Sequence, residues 1–299
     1  MFEWIGLAPR DLARRIWARL EADDVLTHAA AMSFFMAFAL FPAFLFVVAL
    51  VGLLPLAGTL DSLLSYTRQV LPREAASLVE KTLAQLRQGA STPLVSLGAG
   101  VALWAASSGM VSVINALNVA YRVGEPRPWW KRRLVAVALT VGLTTFTVTA
   151  LVLVVFGGWL GTAIATVLGL GSLFTMAWPL LHWLAVVGCV TLGVGIVYRF
   201  APARPLSSWR LGPGAVFAVL AWLVASLGLR LYVAYFGSYN ATYGSIAGMI
   251  LLMLWLYMSN VTLLVGAEIN SVIEEAGRAR AGDGARVRSH DRPRHQAPR

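Results

Sequence analysis

Residues 134–160, LVAVALTVGLTTFTVTALVLVVFGGWL, form an uncharged run whose length decides the fold. About 20 residues of α-helix cross the ~30 Å of bilayer hydrocarbon, and this run exceeds that. Comparable runs lie near 29–54, 93–119, 173–200, 211–235 and 246–268. They are solid rather than alternating, which speaks against a β-barrel, whose strands alternate over about ten residues. Composition agrees: 58% of the 299 residues are hydrophobic and 13% charged, against about 45–50% and about 25% in a soluble domain. The expected fold is therefore all-α, a polytopic bundle of six transmembrane helices. Pro42 should bend the first span, whereas Pro93 and Pro213 sit near helix starts, where proline is tolerated.

Outside the spans, residues 1–28 place Arg10, Arg14, Arg15 and Arg19 between Leu12, Ile16, Trp17 and Leu20. That spacing gives an amphipathic helix, lying either in the membrane interface or on the protein's own cytoplasmic face. The membrane domain is expected to run over 29–275, with an outer loop at 55–92. Leu78, Val79, Thr82, Leu83 and Leu86 give that loop an amphipathic helix of its own. Residues 276–299 are rich in arginine, glycine and proline and read as a disordered basic cytoplasmic tail.

Orientation follows from the basic residues. With the N-terminus inside, the cytoplasmic segments hold nineteen of the 24 Lys and Arg. Four more, Arg68, Arg73, Lys81 and Arg87, lie in one outer loop, and Arg230 falls within a span. This asymmetry places both termini in the cytoplasm. The net charge of +10 thus fits an anionic membrane surface, and anionic lipids are the expected partners. No nucleic-acid partner is expected, because no base-stacking aromatics are set among basic residues in an aqueous segment. Cys189, the single cysteine, excludes an intrachain disulfide and lies in an apolar run. The first apolar run is too long for a signal-peptide core.

Catalytic signatures are missing. There is no G-x-x-x-x-G-K-[ST] loop for ATP, no H-E-x-x-H zinc motif and no G-x-S-x-G elbow. No catalytic residue, metal or cofactor is expected. The informative residues are polar ones within the spans, which are costly in lipid and usually face a bundle interior. Ser108, Ser112, Asn115 and Asn118 follow one face of the second span, and Thr140, Thr144 and Thr147 one face of the third. With Asn260 and Glu268 in the last span they form a candidate polar path, the alternative being hydrogen bonds between packed helices. Glu268 at the inner rim suits a cation, a proton relay or, better, a salt bridge to an arginine of the cytoplasmic loops. His182 reads as a hydrogen-bonded core residue. Arg132, Arg133 and Arg230, with Tyr239 and Tyr243, are the candidate contacts for an anionic headgroup. Small residues four apart (Ala29, Ser33 and Ala37; Gly157 and Gly161; Gly244 and Gly248) predict close helix packing and leave room for a homo-oligomer.

Three stretches resemble the YihY/BrkB family of bacterial inner-membrane proteins: AAAMSFFMAFALFP at 29–42, VINALNVAYRVGEPRPWWKRR at 113–133, and residues 211–268 with their YGS, LLMLWLYMSN and LLVGAE segments. The resemblance covers about 20–275. Phe34 and Phe35 depart from it, standing where relatives often carry a tyrosine. It implies six spans and a multi-pass inner-membrane location. It also brings labels: virulence or serum-resistance factor, ribonuclease BN, and a suggested link to envelope lipid transport. The nuclease label finds no clustered carboxylates or histidines here. The leading expectation is an ATP-independent transporter or facilitator of a lipid or amphiphilic anion. A non-transporting scaffold for envelope proteins is the alternative, and an intramembrane hydrolase comes third.

Overall fold

A computed structural model describes residues 9–52, 92–167, 172–204, 212–236 and 240–290, and every regular element among them is helical. The helices are α1 Pro9–Ala22, α2 Val25–Gly52, α3 Thr92–Ala120, α4 Trp129–Val167, α5 Ser172–Phe200, α6 Pro213–Phe236 and α7 Asn240–His290. Five of them are long and apolar enough to cross a membrane over their described residues: α3 to α7. The first span is α2, helical through Pro42 for 28 residues, about 42 Å at helical rise. The helix expected in the 55–92 loop lies outside the described residues. α2 begins slightly before the boundary drawn at 28, and α7 passes the one drawn at 275. The segment expected to be disordered from 276 is helical as far as His290, and the first proline after the last span is Pro293.

The helices pack as α2 on α3 and α7, α6 on α7, α4 on α5 and α3, and α5 on α6. Their shared core is lopsided. It takes Val25, Ala29 and Met32 from the start of α2, and Ile114, Leu117 and Ala120 from the end of α3. Ala136 and Leu139 open α4, Val197 and Tyr198 close α5, and Ala215 and Ala218 open α6. All of these lie at the end of the bundle that carries the basic segments. The opposite stretches of α4 and α5 show Leu151, Phe156, Leu180, Trp183 and Leu184 on the surface, as lipid-facing helices do. Here α4 lays Gly157 and Gly161 beneath the rings of His182 and Trp178. Trp178 Nε1 donates to the Gly157 carbonyl at 2.7 Å, and His182 Nε2 meets the Leu153 carbonyl at 2.7 Å. His182 is thus held as a hydrogen-bonded packing residue.

α1 docks on α7 through its half-buried Leu12, Ile16 and Leu20 and its buried Arg19, leaving Arg10, Arg14, Arg15 and Trp17 exposed. This is the second of the two expected placements, with the helix lying on the protein itself. A left-handed Asp24 (φ 43°) turns the chain from α1 into α2. α3 ends at a left-handed Arg122 (φ 52°). Arg122 N–H donates to the Val119 carbonyl and Val123 N–H to the Asn118 carbonyl, a closing motif in which glycine is the usual residue.

The tightest contact joins α6 and α7. A side chain at Gly214 would strike the Gly266 carbonyl, and one at Gly266 would strike the Gly214 carbonyl, the Tyr198 hydroxyl and Ala218. Small residues allow such backbone approach between membrane helices. Asn270 Oδ1 then accepts the Gly214 N–H at 2.8 Å, satisfying one donor at the start of α6.

The loop between α3 and α4 is clamped by its own charges. Glu125 accepts from Arg127 Nε at 2.7 Å and from Asn118 Nδ2 at 2.8 Å. Arg127 also donates to the Ala201 carbonyl at 2.9 Å, and Asn118 Oδ1 accepts the Ala203 N–H at 2.8 Å. The clamp therefore ties α3, the loop and the end of α5 together. The Arg127 guanidinium, helped by Asn118, holds the Glu125 carboxyl down at about 2.

Two outcomes follow. Gly266→Val forces backbone atoms apart and costs roughly 1–3 kcal/mol of overpacking, read as a lower melting temperature of the purified protein in detergent, whereas Gly158→Ala, which meets nothing within 4 Å, leaves it unchanged. Because the Glu125 carboxyl is depressed in the folded state, its contribution is complete above the ordinary carboxylate range and is lost as pH falls from about 4.5 toward about 2. Glu125→Gln should lower the melting temperature at pH 7 and flatten its fall across that acid window.

Candidate functional site

The candidate polar path does not hold together: its residues fall into three separate groups, with Asn118 and the α4 threonines outside them. The first lies between α3 and α4. Arg133, one turn into α4, reaches Ser108 Oγ with both terminal nitrogens, at 3.1 and 3.2 Å. Its guanidinium stacks 4.1 Å from the centroid of the Trp104 ring and also contacts the Trp104 carbonyl. Arg132 donates to Asn115 Oδ1 at 3.4 Å, and Ser112 lies on the same α3 face between these two contacts. So two sets of residues picked for different reasons, a polar stripe on α3 and a basic rim on α4, meet.

The position of this contact matters. Ser108 precedes the end of α3 by twelve residues, about 18 Å of helix, so Arg133 carries its charge to the middle of α3. Neither Lys131, Arg132 nor Arg133 is paired with a carboxylate among the described residues. Arg133 Nε is buried without a hydrogen-bond partner. Around it Trp104, Trp129 and Trp130 are exposed, and Lys131 Nζ sits 5.3 Å over the Trp130 ring. Tryptophan beside cations is the composition of a membrane interface, and a guanidinium is the side chain best shaped to receive a phosphate or carboxylate with two parallel bonds. Arg133 thus meets only neutral partners on α3, beside tryptophans on the surface.

The α4 threonines do not join it. Thr140 and Thr147 donate to the carbonyls of Ala136 and Leu143, four residues back in their own helix, at 2.8 and 2.9 Å. Thr147 is exposed and Thr144 half-buried. Back-bonding of this kind lets hydroxyls ride in a lipid-facing helix without a neighbour. Asn118 belongs to the loop clamp described above.

The second group is a buried link between α7 and α2, in which Asn260 Nδ2 donates to Ser33 Oγ at 2.9 Å. Ser33 in turn donates to the Ala29 carbonyl.

The third group surrounds Glu268, whose side chain is fully buried (0% exposed). Its cation is Arg19 of α1, with Nη1 3.7 Å from Oε2. Arg19 is shared, donating to Ser271 Oγ at 2.8 Å and pairing closely with Glu275. Tyr121 lies beside Asn270, and burial pushes its hydroxyl above the ordinary range, so it remains a neutral phenol. A salt bridge at Glu268 was legible in the sequence; its partner, in the N-terminal helix rather than a loop, was not.

Of the remaining headgroup candidates, Arg230 is exposed on α6, far along the chain from Arg133. Tyr239 lies outside the described residues, and Tyr243 is in α7 with its side chain outside them. Sequence reading missed Trp104, hidden among apolar neighbours; its one signal was an aromatic residue one turn before Ser108.

Comparison with known proteins places these features in a family. The family model described as Virulence factor BrkB matches residues 16–291. The ribonuclease-like protein YfkH of Bacillus subtilis (strain 168) is 34% identical over 262 residues, covering 88% of this chain and 94% of that protein. The UPF0761 membrane protein Smlt0865 of Stenotrophomonas maltophilia (strain K279a) is 28% identical over 291 residues, 90% of this chain and 63% of that protein. A UPF0761 membrane protein of Verminephrobacter eiseniae (strain EF01-2) is 26% identical, over 90% of this chain and 64% of that protein. The chain thus spans less than two thirds of these two UPF0761 relatives. No solved structure matches it. Among the described residues no three His, Cys, Asp or Glu side chains stand together as metal ligands. With a matching pattern over nearly its whole length and an all-helical, membrane-spanning architecture, the chain belongs to the BrkB family of membrane proteins.

Proposed function

We propose that this chain moves an anionic amphiphile across or within the bacterial inner membrane without ATP, receiving the headgroup at Arg133. One observation carries the reading: a guanidinium at the mid-height of α3, stacked on Trp104, has no carboxylate to neutralise it among the described residues. Such a charge is costly in an apolar bundle unless an anion or water answers it. The exposed tryptophans beside it supply a lipid-facing entrance, and Arg132 and Lys131 extend the positive rim toward the basic end of the bundle. A lipid phosphate meets these requirements, with acyl chains left in the bilayer.

The test is lipid translocation in liposomes containing the purified protein and a fluorescent phosphatidylglycerol, with inward and outward pools resolved by surface quenching. The wild type should speed exchange over empty liposomes, and Arg133→Ala should lower the rate about tenfold. Arg133→Lys, which keeps the charge but loses the two-pronged geometry, should fall between them. Equal rates for wild type and Arg133→Ala would remove Arg133 from the reading, and rates no faster than empty liposomes would turn attention to the scaffold alternative.

The reading also requires the basic end to face the cytoplasm, as nineteen of the 24 basic residues suggest. A fluorescent protein fused after Arg299 should then fluoresce in cells, and alkaline phosphatase fused within residues 55–92 should be active. The reverse pattern would place Arg133 in the other leaflet.

A further inference from the structure

The charges at the base of α7 do not balance. Glu268, Glu275 and Asp23 face Arg19 and Arg122, three carboxylates to two guanidiniums. Arg19 is engaged by Glu275 and Ser271, and Arg122 pairs with Asp23 at 3.4 Å. Glu268 has only the longer, 3.7 Å ion pair with this shared Arg19, and both its carboxylate oxygens are buried without a hydrogen-bond donor. The Asp23 and Glu268 side chains line one narrow space together with Val25, His28, Ala116, Ala120 and Leu264. Two carboxylates facing one apolar space repel each other unless a cation lies between them.

We propose that Glu268 and Asp23 form a binding site for one monovalent cation, a proton or a desolvated sodium ion, at the foot of the last span. The site is built from α7 and from the turn joining α1 to α2. Apart from the two carboxylates and His28, its walls are apolar. The other charged and titratable groups facing it are Arg19 of α1, His28 of α2, Arg122 and Tyr121 after α3, and, through Arg19, Glu275 of α7. Occupancy has a structural consequence. With the cation bound, Arg19 belongs to Glu275 and Ser271, as the geometry here has it; with the site empty, the Glu268 charge draws Arg19 inward and α1 turns on α7. The inference does not depend on the amphiphile reading.

The experiment uses the purified full-length protein in detergent. Infrared spectra are recorded across pH in potassium buffer, and melting temperatures are compared in NaCl and KCl at equal ionic strength. A protonated-carboxyl band at neutral pH that disappears in Glu268→Gln identifies the cation as a proton. A sodium-specific rise in melting temperature that disappears in the same variant identifies it as sodium. Neither signal in the wild type would overturn the site. Should Glu268→Gln fail to fold, Asp23→Asn decides: removing the second carboxylate should move the midpoint of either signal by about one pH unit or tenfold in sodium, and an unmoved midpoint would overturn the pairing. Lipid exchange in liposomes is read separately, so its failure leaves these outcomes intact.

Discussion

A polar atom buried among apolar helices must find its partner inside the protein, because the surrounding lipid offers none. In this chain α7 is where that requirement concentrates. It carries Asn260, Glu268, Asn270 and Ser271, all buried. Each but Glu268 finds a hydrogen bond to another helix: Asn260 to α2, Asn270 to the start of α6, Ser271 to α1. Tyr198 of α5 adds a bond to the Leu263 carbonyl. The bundle is thus assembled around one helix by polar contacts of fixed geometry, while apolar area, which lipid could cover equally well, contributes little to the choice of neighbours. The tight core at the basic end and the loosely covered far ends of α4 and α5 follow from where those contacts sit.

The contact between α3 and α4 shows the same economy applied to charge. Arg133 gains a ring face, a serine and a carbonyl, all neutral, so its positive charge persists. Glu125 and Arg127, a few residues earlier, take the opposite course and neutralise each other in the loop clamp. The clamp holds the α3–α4 connection rigid, and the free charges next to it are thereby presented at a defined height. One short stretch of chain, from Asn118 to Arg133, thus holds both a neutralised ion pair and an arginine with only neutral partners.

The spans were legible because uniform apolarity over more than twenty residues has few other readings. The amphipathic α1 was legible from its spacing. What was not legible is how each helix is rotated about its axis. The stripe Ser108–Ser112–Asn115–Asn118 was visible as a stripe, but its ends answer to different partners, Arg133 and the Glu125 clamp. The threonine stripe on α4 looked equivalent in sequence and is not, since a hydroxyl can satisfy itself against its own helix whereas an asparagine amide cannot do so completely. Arg19 and Glu268 are 249 residues apart, and only the docking of α1 brings them together.

The meeting of Gly214 and Gly266 carries a mechanical implication. Where two helices touch backbone to backbone there are no interlocking side chains, and such surfaces slide along one another more readily than ridges set in grooves. Here the Asn270 amide bonds to the first turn of α6 right beside the smooth contact. It acts as one of three latches, since Trp222 Nε1 also donates to Ser259 Oγ and Trp255 Nε1 to Ser226 Oγ: a shift of α6 past α7 requires all of them to release.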